Sequence, residues 1–149
     1  MTTHTEVTAD AGAFAVLYAR VQQFYARQMQ AFDRGDAREW ANTFTADAVF
    51  DVPTLPAPLH GRAAIAASLT RAAAETARAG VRLRHVVSMS DVTARGAGRV
   101  EVRSCTTVYA TTVGGASRVH RMCVCEDVLE LAADGGLLVS RRRVTRDDL

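Results

Sequence analysis

The sequence predicts an α+β domain, with three helices packed on one face of a strongly curved, mixed but mainly antiparallel sheet. Three observations lead there. Apolar residues recur at three- and four-residue spacing only up to Gly80, the chain beyond alternates with the two-residue period of strands, and that strand region is cut repeatedly by glycine turns. Helices first and strands afterwards suit an architecture with the helices gathered on one side of a sheet.

Residues 1 to 10 are polar and aperiodic and are expected to form a flexible arm, leaving a single domain over residues 11 to 149. Phe14, Leu17, Tyr18, Val21, Phe24, Tyr25, Gln28 and Phe32 then form one stripe along a long amphipathic helix. Gly35 ends it, and Asp36 with Glu39 has the capping-box spacing for a short second helix holding Trp40 and Phe44. Ala48 to Val52 alternates as a short strand. Pro53, Pro56 and Pro58 force an irregular loop after it, because proline cannot donate to a ladder. A third helix is expected from Arg62 to Ala79, stopped by Gly80. Segments 81 to 94, 99 to 113, 117 to 132 and 137 to 145 read as strands, separated by Gly96-Ala97-Gly98, Gly114-Gly115 and Asp134-Gly135-Gly136. Strands this long must twist and bend at bulges, which leaves space for a ligand between sheet and helices.

Composition excludes several functions. The chain has 149 residues, 48% of them hydrophobic, enough for one sizeable core, and a net charge of +2 with both signs interspersed. No basic stripe points to nucleic acid, and Arg141-Arg142-Arg143 lies in a strand, where it reads as sheet surface. The sequence shows neither a signal-peptide pattern nor an apolar run long enough to span a membrane, so a cytoplasmic location is expected. The odd cysteine count, Cys105, Cys123 and Cys125, points to reduced thiols. Phosphate-loop, dinucleotide-binding and serine-hydrolase patterns are missing, and no short-spaced His or Cys motif suggests a metal. No cofactor is expected.

His85 stands out because it shares strand parity with Val81, Leu83, Val87 and Met89, while Arg82, Arg84 and Ser88 take the other face. An inward imidazole must be hydrogen-bonded, and its pKa range suits proton transfer. The alternative is a histidine tied to a backbone carbonyl. Asp33 is its natural partner: a carboxylate at a helix C-terminus is disfavoured by the macrodipole and needs compensation. A solvated turn is the competing reading for Asp33. His120 lies in a strand whose two faces are both mixed, so it is either a second acid or base, with Glu126 as a possible carboxylate, or a surface histidine. Phe14, Tyr18, Trp40, Phe50, Met89, Tyr109 and Met122 are candidates for a substrate-binding wall, and core packing is the alternative use of such groups. Tyr25 adds a phenol that needs a partner.

The run Phe32-Asp33-Arg34-Gly35-Asp36 with Trp40 and Phe44, then Asp47-Ala48-Val49-Phe50, resembles the opening of NTF2-like (SnoaL-like) domains. Leu59-His60-Gly61-Arg62, the pair Arg84-His85, and Gly135-Gly136 through Arg143 resemble that superfamily further on. The resemblance implies a cone-shaped fold around a pocket and a cofactor-independent cyclase, dehydratase or isomerase acting on a small polyketide-like carbonyl compound in bacterial secondary metabolism. It implies Asp33 and His85 as the acid-base pair, as in scytalone dehydratase-like enzymes, whose second histidine has no counterpart here, Tyr109 or Thr107 lying nearest. For removal of a proton next to a carbonyl, His85 is expected as base, Asp33 as its orienting carboxylate, and Tyr25 or His120 as the oxygen-side donor. It also implies a homodimer formed through the sheet, for which the face carrying Cys123, Cys125 and Leu129 is expected to serve. A non-catalytic binding protein or assembly subunit, like the small subunits of ring-hydroxylating dioxygenases, and an epoxide hydrolase with two inward carboxylates are the competing readings.

Overall fold

The computed structural model describes residues 4 to 149, with side chains from Asp10 onward. Helix α1 (His4–Asp33) is followed by α2 (Ala37–Ala41), β1 (Phe44–Asp51), β2 (Leu59–His60), α3 (Gly61–Arg78), β3 (Val81–Gly96), β4 (Arg99–Thr112), β5 (Ser117–Leu131) and β6 (Leu137–Arg146). The expected arm overlaps the undescribed residues 1 to 3, and from His4 the backbone is helical rather than starting near Ala11. The six strands form one curved, unclosed sheet in the order β2-β1-β6-β5-β4-β3. Every pairing is antiparallel except β1 with β6, which run parallel and join the N-terminal half of the chain to its last strand.

Two boundaries differ from expectation. Phe44 opens β1 opposite Val139 instead of closing α2, because Asn42 caps the short helix and β1 extends four residues further back to reach β6. Leu59 and His60, expected in the proline loop, return as an edge strand against Val49 and Phe50.

The core lies between the helices and the concave face of the sheet. Trp40 sits at its centre, 1% exposed, with ring centroids 4.9 Å from Phe32, 5.0 Å from Phe44 and 5.6 Å from Phe50, each tilted edge to face. Such pairs contribute about 0.5–1.5 kcal/mol each beyond their buried area. Beneath this cluster, Arg142 is 3% exposed. It is not sheet surface: its Nε and Nη2 donate to both carboxylate oxygens of Asp127 at 2.9 and 2.7 Å, and Nη2 also donates to Gln28 Oε1 at 2.7 Å.

Of the five places where strand register shifts, three reset which residues face inward around the site. Met89 and Ser90 lie across from Ser104 between the pairs Ser88–Cys105 and Asp91–Arg103. His120 is the extra residue between Val119–Tyr109 and Arg121–Val108, and Ser140 the extra residue between Val139–Leu129 and Arg141–Val128. Each bulge shifts the alternation by one, so residues of opposite parity on either side of it share a face. Cys123, Cys125 and Leu129 are buried on the concave side, not on an outer dimer face.

Candidate functional site

Asp33 is the last residue of α1, and the turn after it fixes its direction. Gly35, at φ +74°, forms a Schellman cap in which Gly35 N–H donates to Phe32 O and Asp36 N–H to Ala31 O, both at 3.0 Å. A side chain at Gly35 would meet Ala73 Cβ at 3.2 Å, so α3 packs closely against the corner. The carboxylate then reaches His85 on β3, the edge strand at that end of the sheet. Asp33 Oδ1 lies 2.6 Å from His85 Nδ1, and Oδ2 accepts the His85 backbone N–H at 3.0 Å. One carboxylate thus holds both the ring and the main chain of one histidine.

A carboxylate can only accept here, so Nδ1 carries a proton, and in the neutral ring Nε2 holds the lone pair that a general base needs. Phe32 packs its ring edge to face on the imidazole with centroids 4.6 Å apart. The pair is largely shielded, with side chains 16% and 7% exposed.

His85 lines two adjoining spaces. The inner cavity, about 190 Å³, is walled by Phe32, Trp40, Phe50, Leu69 and Val144, with Thr106, Cys123, Cys125 and Arg142 on the sheet side. The outer cleft, about 630 Å³, contains Asp33, Arg82, Arg118, His120 and Glu75. Phe32, Leu69, Ala72, His85 and Arg121 border both, so the imidazole stands where the cleft meets the cavity. Among the described residues no Asp or Glu lines the inner cavity, which offers none of the two inward carboxylates that epoxide opening requires.

The bulge brings His120 into the outer cleft with His85. His120 remains exposed there, and its pKa is lowered, first by partial desolvation and then by the positive charges of Arg121, Arg118 and Arg146. Tyr25 does not line either space. Its hydroxyl donates to Asp127 Oδ2 at 2.8 Å, and burial followed by the Asp127 charge pushes its pKa well up, so the phenol belongs to the Arg142 network.

Of the expected substrate wall, Trp40 and Phe50 line the cavity. The others do not. Phe14 (50% exposed) and Tyr18 face solvent on α1, their rings 5.9 Å apart, and Met89, 82% exposed at φ +51°, is turned out by its bulge. Tyr109 and Met122 are exposed because their strand parity places them on the convex face. Glu126 is likewise exposed, while Asp127 is buried with Arg142. Sequence reasoning missed Arg121, Arg142, Cys123, Cys125 and Thr106. Cys123, Cys125, Asp127 and Leu129 share one parity, a signal that marks the inner face of β5. Burial raises the Cys125 thiol to about 11. Among the described residues, no cluster of three or more His, Cys, Asp or Glu side chains is arranged to hold a metal, and no helix is long and apolar enough to cross a membrane.

Helices over a curved open sheet, with a cavity between them, define an NTF2-like domain. Residues 15–143 match the family model for the SnoaL-like domain, and the chain belongs to that family. Solved structures agree. A protein from Catenulispora acidiphila in complex with S-DNPA is 39% identical, with 90% of this chain and 96% of that one covered and a TM-score of 0.79. ActVI-ORFA from Streptomyces coelicolor is 31% identical over 91% of this chain and 98% of its own, with a TM-score of 0.83. Aln2 from a Streptomyces species is 36% identical over 89% of this chain and 91% of its own, with a TM-score of 0.80. No curated protein matches the sequence.

Proposed function

We propose that this protein is a cofactor-independent lyase or isomerase, a SnoaL-like cyclase or dehydratase, acting by acid-base catalysis on a small, largely apolar, polyketide-like carbonyl compound in bacterial secondary metabolism. The 2.6 Å contact between Asp33 Oδ1 and His85 Nδ1 carries this reading. It leaves Nε2 as a base at the border of an apolar cavity, where removal of a proton next to a carbonyl is favoured by exclusion of water. Asp33 orients the ring and stabilises the imidazolium that forms. His120, in the cleft beside His85, is the second histidine available to return a proton. A relative solved with S-DNPA supports a small molecule as the ligand.

Exchange of the α-protons of 2-tetralone in D2O, a flat apolar ketone, tests the base directly. The wild-type protein is expected to accelerate exchange, and His85→Ala or Asp33→Asn to reduce the acceleration by about 100-fold or more with little change in Tm. Activity retained per folded molecule in both variants would overturn the reading.

We further propose that the protein is a cytoplasmic homodimer paired through the convex sheet face. Val86, Thr107 and Met122 lie in one cross-strand row, and Arg84, Tyr109 and Val119 in the next, and Val86, Tyr109, Val119 and Met122 are exposed apolar groups there.

A further inference from the structure

Among the described residues, only three buried side-chain polar atoms lack a hydrogen-bond partner: Trp40 Nε1, Arg121 Nε and Ser90 Oγ. Two of the three belong to residues lining the inner cavity, Trp40 within it and Arg121 at its border with the cleft. An orphaned buried donor carries a desolvation cost that folded proteins normally avoid by pairing it. Here the protein supplies no acceptor. Asp33 is taken by His85 and Asp127 by Arg142 and Tyr25, and no carboxylate lines the cavity.

Both orphans are donors only, since an indole nitrogen and a guanidinium cannot accept. The missing partners are therefore acceptors, a role that ligand oxygens fill. Arg121 also makes no ion pair among the described residues, and Arg118 and Arg146 lie close enough to act with it on His120. Arg146 is paired with Asp148, but Arg121 and Arg118 have no ion-pair partner among the described residues, so positive charge is left where the cavity opens, while the walls further in are mainly aromatic and aliphatic.

We propose that the cavity takes a flat apolar acid: its ring body lies against Trp40 and Phe50, an acceptor oxygen takes the Trp40 Nε1–H, and an anionic oxygen pairs with Arg121. This names the substrate class of the site and rests on the reading that the cavity at His85 is the substrate site. The cavity is smaller than the roughly 300–1,000 Å³ usual for small-molecule sites, so the body is about bicyclic and the charged end extends toward the cleft. Arg121 is a binding residue that sets which end of the ligand faces His85.

The chain contains one tryptophan, so a 15N-labelled sample gives a single indole N–H signal, and it reports on Trp40 alone. The probes are 6-hydroxy-2-naphthoate, whose ring oxygen lies opposite its carboxylate, the matched neutral 6-hydroxy-2-naphthamide and 2-methylnaphthalene, with Kd from calorimetry and the indole signal from NMR. The naphthoate is expected to bind about tenfold or more tighter than the amide, the worth of one charge-assisted hydrogen bond. It is expected to move the indole proton downfield, whereas 2-methylnaphthalene does not. Arg121→Met should abolish the preference while still binding 2-methylnaphthalene, which certifies a folded cavity, and Arg121→Lys should restore part of it. Equal affinities for acid and amide, a preference that survives Arg121→Met, or an unmoved indole proton would overturn the proposal. His85→Ala is expected to keep the preference, so a failure of the acid-base reading leaves binding intact and is told apart from a failure here.

Discussion

Arg142 and Asp127 face each other across β5 and β6 as a bidentate ion pair with side chains 4% and 1% exposed. Gln28 and Tyr25 of α1 take further positions on it, and Gln28 Nε2 donates onward to Thr43 Oγ1 at 2.7 Å. The pair therefore ties the first helix to the floor of the cavity. Removing one member leaves the other charge buried and unpaired, so Arg142→Met and Asp127→Ala are each expected to cost about 3–5 kcal/mol in denaturant unfolding. Tyr25→Phe loses one hydrogen bond to a charged acceptor, about 1.5–3 kcal/mol, and is expected to leave proton exchange on 2-tetralone intact. A Tyr25→Phe protein that is stable but inactive would return the phenol to the chemistry.

His120 should titrate below its ordinary value of 6.5, first because of partial desolvation in the cleft and secondarily because of Arg121, Arg118 and Arg146. As the pH falls below 6.5 the unfolded chain takes up a proton that the folded protein still resists. The contribution of His120 to stability is therefore full above about 6.5 and is lost as the pH drops through the lowered folded value. A histidine C2–H titration by NMR measures it. Arg121→Met is expected to move the midpoint only partway back, since partial desolvation is the larger cause, and a wild-type midpoint at or above 6.5 would contradict the cationic setting.

Gly35→Ala meets two penalties, the left-handed backbone at φ +74° and the Ala73 methyl at 3.2 Å, whereas Gly114→Ala at φ +83° meets open space. The backbone cost alone is about 1–2 kcal/mol. Thermal or denaturant unfolding should find Gly35→Ala the more destabilised of the two. Because Asp33 rides on the same turn, only that variant should shift the His85 Nδ1–H resonance.

Size exclusion with light scattering should give the mass of two chains, and Met122→Asp on the convex face should halve it. A monomeric wild-type protein would remove the sheet-face pairing.

Much of this architecture was legible because local signals and tertiary packing agree. Gly35 and Gly80 mark real helix ends, the glycine turns mark real hairpins, and the parity of Val81, Leu83 and His85 leads directly to the Asp33 contact. What could not be read lies beyond the bulges. Strict alternation carries His85 on to Met89, but the extra residue in β3 turns Met89 outward. The same device in β6 buries Arg142 between exposed Arg141 and Arg143, although Leu137 and Val139 predict the opposite parity. In β5 it swings His120 toward the cleft and sets it beside Arg121. Bulges follow from the bending of the whole sheet, and nothing in a single strand's composition announces where they fall. The substrate wall was misjudged for another reason: aromatic spacing on α1 identifies a stripe, but Leu17 and Val21 of that stripe meet the core while Phe14 and Tyr18 stay exposed.

The parallel seam of β1 and β6 has a kinetic meaning. Phe44 finds its ladder partner only at Val139, so as the polypeptide leaves the ribosome the segment bearing β1 waits while three long strands are made. The β3-β4-β5 meander can assemble early from neighbouring hairpins, but β1 joins the sheet only when β6 slots between β5 and β1. Until then the future ligand chamber is an open apolar surface, and this interval is when the nascent chain is most exposed to aggregation and most in need of chaperones.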